Sequence, residues 1–328
     1  MDVAWDRFRP GRERRTPVLH HSLREWAARC LTRRRGAVKV SRSFWPAGPQ
    51  SEPVINYAEF WNLNRRPFEA DANPAFFFES RAHGEALARL MYLATDEGMN
   101  MGALTGEIGS GKTMTLAVLV DRLPRDRCTV VRIPSSHLRF PDLLQEALAQ
   151  LCGRAPQAGA EPYLLLKEFE RALEERVVAA GRHLLLMLDE AQFLADDCLD
   201  PLKCLTNLNV PGRPALTVLL SGQPDLRERL RGMPQVFQRL GMFYHLEPLQ
   251  FDEVSAYLTH RLRVAGATHA DVFDPECVRA LYDFSRGCPR QINRVCKLAV
   301  DRACLLRQNR ITSQTVRAIV DDIGRHFG

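Results

Sequence analysis

The octapeptide GEIGSGKT, Gly106 to Thr113, holds the densest chemistry of the 328-residue chain. Its spacing, G-x-x-x-x-G-K-[ST], is that of a loop that cradles polyphosphate. A polyphosphate needs several backbone N–H groups converging on one concavity, and glycines permit the dihedrals and the close approach. The expected phosphate-binding run is therefore Gly106, Glu107, Ile108, Gly109, Ser110, Gly111, Lys112, Thr113 and Met114. Lys112 would bridge the β- and γ-phosphates, and Thr113 would offer its hydroxyl to Mg²⁺. A dinucleotide-binding turn fits less well, because glycines at 106, 109 and 111 do not give G-x-G-x-x-G.

A second chemical pair closes the apolar run HLLLMLDEAQ, where Asp189 and Glu190 follow one another. Consecutive strand residues point to opposite faces, but at a strand end both carboxylates can reach the phosphate-binding edge. Asp189 can then complete a Mg²⁺ shell with Thr113, while Glu190 suits the orientation of an attacking water. A third residue is puzzling by itself. Arg290, in GCPRQIN, sits just inside a helix start, where a cation faces the unfavourable end of the helix dipole.

These residues need a scaffold. Short apolar runs at 99–105, 128–133, 183–188, 215–221 and 241–249 predict strands, and helical patterns lie between them at 111–122, 141–152, 162–180 and 197–209. Asp196-Asp197 can cap the last of these. Apolar strands alternating with helices imply a mostly parallel sheet covered on both faces, an α/β fold. After Pro248 the strands stop, and 251–265, 275–285, 289–307 and 313–326 read as helices. The expected domains are a basic N-terminal segment over 1–53, an α/β nucleotide-binding domain over 54–248 and a small all-helical lid over 249–328.

Bulk properties narrow the class further. Residues 1–50 carry twelve basic and four acidic side chains, so the whole surplus of +6 belongs to that segment, and the remainder is −2. No stretch approaches the roughly 20 apolar residues of a membrane span, and no secretory leader is visible. A cytoplasmic location is expected. The nine cysteines show no zinc spacing and fit reduced thiols. Leu19, Leu23, Trp26, Ala27, Cys30 and Leu31 fall at helical spacing among arginines, so this segment can lie on an anionic membrane. The same stretch can lie on a partner, and the segment also reads as a mobile charged tail or as sequence upstream of a start at Val54.

Five stretches in this order carry a family resemblance: the glycine loop, LLLMLDEAQFL, LLSGQPDLRERL, FQRLGMFYHLEPL and GCPRQINRVC. Together with the aromatic-rich opening from Tyr57, they resemble AAA+ ATPases of the general secretion pathway A (ExeA-like) type over roughly 56–310. The resemblance implies a P-loop NTPase fold, ATP and Mg²⁺ as ligands, ATP hydrolysis and a homo-oligomer. It implies that Gln223, or else Ser221, is the polar sensor between the acid pair and the γ-phosphate. It implies that Arg239 reaches a neighbouring subunit's nucleotide and that Arg290 reaches the phosphates from the lid, which would explain its position. Longer members continue into a membrane helix and a peptidoglycan-binding part, so the likeness is to their ATPase half. The implied setting is secretion, pilus or exopolysaccharide assembly. The alternative is an ATP-dependent DNA-binding regulator of the transposon target-selection kind. The −2 charge outside the N-terminal segment disfavours it. Phe76, Phe77 and Phe78 read as core or as an adenine-side wall. His83 reads as a base contact or an exposed helix histidine. Cys288, Cys296 and Cys304 read as packing.

Overall fold

The computed structural model describes residues 57–95, 99–134, 137–154, 161–210, 213–268 and 271–327. The basic segment 1–53, with its expected amphipathic stretch, lies outside the described residues.

Among the described residues seven strands form in chain order: β1 (Met101–Thr105), β2 (Cys128–Pro134), β3 (His183–Asp189), β4 (Asn209–Val210), β5 (Arg213–Pro214), β6 (Leu216–Gly222) and β7 (Met242–His245). Five of them make one parallel sheet in the order β2-β3-β6-β1-β7, and β4 with β5 makes a separate antiparallel pair. The central strands β1, β3 and β6 are fully buried, and largely apolar, with helices covering both faces of the sheet. In β3, Leu184, Leu186 and Leu188 enter one core cluster, while Leu185 and Met187 enter the other. That alternation is the two-residue period of a strand buried on both sides.

The helices are α1 (Tyr57–Trp61), α2 (Arg81–Thr95), α3 (Lys112–Arg122), α4 (Phe140–Cys152), α5 (Pro162–Leu173), α6 (Asp196–Leu205), α7 (Pro224–Arg231), α8 (Pro234–Phe237), α9 (Phe251–Val264), α10 (Cys277–Ser285), α11 (Pro289–Leu305) and α12 (Ser313–Phe327). One sheet face packs α2 and α3, through Leu87, Leu90, Leu116 and Leu119. The other packs α4, α5 and α6, through Leu144, Phe169 and Leu202. Gly102 of β1 lets α2 approach closely, since a Cβ there would run into the Leu93 side chain.

Several expectations shift in detail. The strand expected over 241–249 stops at His245, because the chain turns away after Leu246 donates its N–H to the Thr105 carbonyl. The helix expected over 162–180 ends at Leu173 and continues as a π-helical turn, Glu174–Val178. Asp196 opens α6 with Ala195 as the capping residue, so the acidic pair lies inside the first turn rather than ahead of it. Helices α2, α7 and α8 were not among the elements read from the sequence.

Helices α9 to α12 share a core of their own, centred on Val254, Leu258, Leu281, Val295, Cys296 and Ala299. Although they precede the sheet in sequence, Tyr57, Trp61 and Phe68 pack into this helical core. The Trp61 indole N–H donates to the Val300 carbonyl at 3.3 Å. Arg261, 3% exposed, donates from Nε to the Pro67 carbonyl at 2.6 Å and from Nη2 to the Glu69 carbonyl at 3.0 Å. Its guanidinium also lies 4.7 Å from the centroid of the Phe76 ring. From Tyr57 the described residues thus lie first on the helical part and cross to the sheet through residues 69–80.

Candidate nucleotide-binding site

The glycine loop joins β1 to α3 at the carboxyl end of the sheet. Gly109 and Gly111 take φ of 86° and 108°, a left-handed backbone that favours glycine, and Gly111 caps α3. Gly106 is required by space: a Cβ there would sit 2.8 Å from Ser110 Oγ and 2.9 Å from the Leu246 carbonyl. The loop therefore wraps an anion-sized concavity at a helix N-terminus. Lys112 is 6% exposed and donates from Nζ to the Gly106 carbonyl at 2.7 Å and the Glu107 carbonyl at 3.0 Å. Burial lowers its pKa, opposed by the nearby Glu190 and Asp189 carboxylates. Ser110 Oγ is buried with no partner among the described residues, an orphaned hydroxyl in a loop built for an acceptor-rich ligand.

Asp189 ends β3 and is bonded through both oxygens. Its Oδ1 accepts from the Ser221 hydroxyl and from the Glu190 N–H, each at 3.1 Å. Its Oδ2 accepts from Arg132 Nη2 at 3.0 Å and lies 3.5 Å from Thr113 Oγ1. The predicted Mg²⁺ pair, Thr113 and Asp189, is thus brought together with a guanidinium on the same oxygen. Arg132 was missed from the sequence, where its only mark is a charge inside the apolar strand CTVVRI. Strand register explains the meeting, since Pro134 of β2 pairs with Asp189 and Arg132 is two residues earlier on the same face.

Glu190 adopts φ 52°, left-handed for a non-glycine residue, a strain of about 1–2 kcal/mol that turns its carboxylate towards the loop. Its Oε2 accepts from Gln192 Nε2 at 2.7 Å and lies 3.5 Å from Gln223 Nε2. Gln192 also holds the Gln223 N–H through Oε1 at 3.0 Å. Of the two sensor candidates, Gln223 faces the cavity beside Glu190, whereas Ser221 is fully buried against Asp189. Gln192 was also missed, although DEAQ displayed it beside the pair.

Arg290 lies in the first turn of α11. Its backbone N–H donates to the Gly109 carbonyl at 3.3 Å, and its side chain lines the same cavity as Lys112. A Cβ on Gly109 would lie 2.5 Å from Arg290 Cβ, so the helical part rests on the loop at a point that only glycine permits. Cys288 Sγ is 3.5 Å from the Ile108 carbonyl, while Cys296 is buried in the helical core and Cys304 is buried near the end of α11. Among the described residues the cysteines are all unpaired.

Arg239 is not brought to this cavity. It is exposed in the loop before β7, bonded through Nη1 to Asn207 Oδ1 at 2.5 Å and to Thr206 Oγ1 at 3.4 Å. That loop lies at the opposite end of the sheet, where Gly241 N–H meets the carbonyl of Met101, the first residue of β1.

The cavity measures about 560 Å³, within the range of small-ligand sites, and lies between the loop, α11 and residues 68–78. All three phenylalanines line it, and each also belongs to different packing. Phe76 joins Leu63 and Ala265, Phe77 joins the sheet-face core, and Phe78 packs against the helical core. This run therefore packs as core while also lining the cavity. His83 is 4% exposed rather than on the surface, and its ring nitrogens meet Ser80 Oγ at 2.7 Å and the Ser110 carbonyl at 3.0 Å. Neither nitrogen is left for a base edge. Among the described residues no group of three or more His, Cys, Asp or Glu could hold a metal by itself. The Thr113–Asp189 pair instead suits a Mg²⁺ held jointly with ligand phosphates.

Fold and site together define an AAA+ P-loop NTPase fold. Residues 95–230 match the family described as "AAA domain". The chain is 36% identical over 248 residues to general secretion pathway protein A of Aeromonas hydrophila, covering 74% of this chain and 44% of that protein. The resemblance seen in the motifs is thereby borne out, and the chain spans less than half the length of that relative. Among solved structures, the Aeropyrum pernix ORC2 protein in its ADPNP–ADP complexes superimposes with a TM-score of 0.62 at 21% identity, covering 79% of this chain and 71% of that one. Cdc6p of Pyrobaculum aerophilum gives a TM-score of 0.61 at 19% identity, covering 78% and 70%. These likenesses concern the fold alone.

Proposed function

We propose that this protein binds Mg-ATP in the cavity between loop and helical part, hydrolyses it, and transmits the resulting motion to a partner in cell-envelope assembly. The carrying observation is the convergence of Lys112, Thr113, Glu190, Gln223 and Arg290 on one cavity of suitable size, with Asp189 3.5 Å from the Thr113 hydroxyl. Gly106 to Met114 would wrap the phosphates with backbone N–H groups, and Lys112 would leave the carbonyls of Gly106 and Glu107 for the β- and γ-phosphates. Mg²⁺, held by Thr113 and Asp189, would supply positive charge to the phosphate oxygens. Glu190 would accept a proton from the attacking water at its carboxylate, with Gln223 fixing that carboxylate and sensing the γ-phosphate. Arg290 would offset charge from the lid side, so that arrival and loss of the γ-phosphate move the helical part.

Arg239 suits a role in a second subunit's site, because it is exposed and distant from its own cavity. A homo-oligomer with shared sites follows. The relative's name, general secretion pathway protein A, supports a secretion-linked process, with pilus or exopolysaccharide assembly as variants of it. No helix among the described residues is long and apolar enough to cross a membrane. A nucleic-acid role is not favoured. The ORC1 structure solved in complex with DNA shares 17% identity and thus only a fold, and the net charge outside residues 1–50 is −2.

Phosphate release from Mg-ATP tests the reading. Turnover per protomer should rise with protein concentration and fall by about tenfold or more in Arg239→Ala. Release no faster than a protein-free blank would contradict hydrolysis, and a concentration-independent rate would contradict the shared site.

A further inference from the structure

His83 lies outside the loop, yet it holds the loop's shape. Its Nε2 meets the Ser110 carbonyl at 3.0 Å, and a carbonyl can only accept, so Nε2 carries the hydrogen. Nδ1 is then an acceptor, matched by the Ser80 hydroxyl at 2.7 Å. Both polar ends of the ring are satisfied by one tautomer, within a site 4% exposed. Burial lowers the pKa of His83, opposed by its bond to the Ser110 carbonyl and by the Glu253 carboxylate, so the ring is neutral at physiological pH.

The fixed carbonyl has a consequence on its other side. The peptide joining Ser110 to Gly111 is trans, so its N–H points opposite to its carbonyl. With the Ser110 carbonyl drawn back towards His83, the Gly111 N–H is aimed away from the ring. The ring also occupies space that a side chain at 111 would need, since a Cβ there would sit 2.6 Å from Nε2. The glycine of the G-K-T run is thus fitted to a histidine on another helix as well as to a phosphate.

His83 is itself tied to the helical part. It lies in the first turn of α2, whose Arg81 N–H donates to Glu253 Oε1 of α9 at 2.8 Å. The second oxygen of Glu253 accepts the Gln250 N–H at 2.9 Å. A continuous bonded path therefore runs from α9 through the start of α2 to the loop, separate from the Arg290 contact.

We propose that His83 is a positioning residue for nucleotide binding: its Nε2–H bond to the Ser110 carbonyl holds the Gly111 N–H towards the phosphate concavity before ligand arrives. The inference rests on the nucleotide-binding reading above. Mg-ATP calorimetry on the full chain, with His83→Ala, His83→Gln and Ser80→Ala, tests it. His83→Ala should weaken binding about tenfold, the effect of one lost directed bond in a pre-formed site. His83→Gln, whose side-chain amide can donate to the same carbonyl, should return to within about threefold of the wild type. Ser80→Ala should lose about threefold, because the ring keeps its Nε2–H bond but loses its anchor. A purely structural role would lower the melting temperature without rescue by glutamine.

Equal affinity in wild type and His83→Ala, or glutamine as weak as alanine, overturns the inference while leaving nucleotide binding intact. If His83→Ala does not fold cooperatively, Ser80→Ala decides, and wild-type affinity there overturns it. A wild type that fails to bind Mg-ATP sinks the nucleotide reading and this inference with it.

Discussion

At the scale of residues, binding and turnover are assigned to different groups. Lys112 and the loop amides would hold phosphate, whereas Glu190, in its left-handed conformation and gripped by Gln192, would act only on water. Glu190→Gln keeps the shape and removes the base. It should bind Mg-ATP within about threefold of the wild type, while phosphate release falls at least about a hundredfold. Parallel calorimetry and phosphate-release assays check this, and unchanged turnover would remove Glu190 from the reaction. The residues legible in the sequence were those whose chemistry sits at fixed local spacing: Gly106 to Thr113, the Asp189–Glu190 pair and Arg290. Arg132 on Asp189 was not legible, because that contact depends on the register of two strands 57 positions apart along the chain. The His83–Ser110 bond was hidden for the same reason, since helix and loop meet only through tertiary packing.

At the scale of elements, the segment preceding the sheet ties the two cores together. Arg261 of α9 holds it by two backbone carbonyls, one bond buried and the other part-buried, and by stacking on Phe76. Removing the guanidinium would leave the carbonyls of Pro67 and Glu69 without these donors and open space beneath Phe76. Arg261→Ala should therefore cost roughly 2–4 kcal/mol of unfolding free energy by urea titration. A loss below about 0.5 kcal/mol would show that the strap is held elsewhere. Strands β1, β3 and β6 were readable because burial on both faces makes each a largely apolar run, and β2 because only Thr129 and Arg132 interrupt it. Helix α2 was given no bounds from the sequence, where only His83 was read on a helix, although Ala86, Leu87, Leu90, Leu93 and Ala94 recur at helical spacing. The pair β4–β5 has two residues a strand, too short for any periodic signal.

At the scale of the whole molecule, the parallel sheet brings its carboxyl-terminal loops to one edge and the helical part rests on that edge. Arg290 N–H on the Gly109 carbonyl and Cys288 on the Ile108 carbonyl are two of its contacts with the loop. A cation at an unfavourable helix start is tolerated there because it looks across a cavity that a triphosphate would fill. The order of the elements and the helical ending were legible from the change of period after Pro248. The packing of Tyr57, Trp61 and Phe68 into the helical core was not, because nothing local marks a segment that joins elements two hundred residues later. The account turns on a triphosphate held between loop and lid, and calorimetry with Mg-ATP measures that directly. Saturable binding by the full chain, weakened at least about a hundredfold in Lys112→Ala, is the predicted result. No heat from the wild type, or equal affinity in the two proteins, would contradict it.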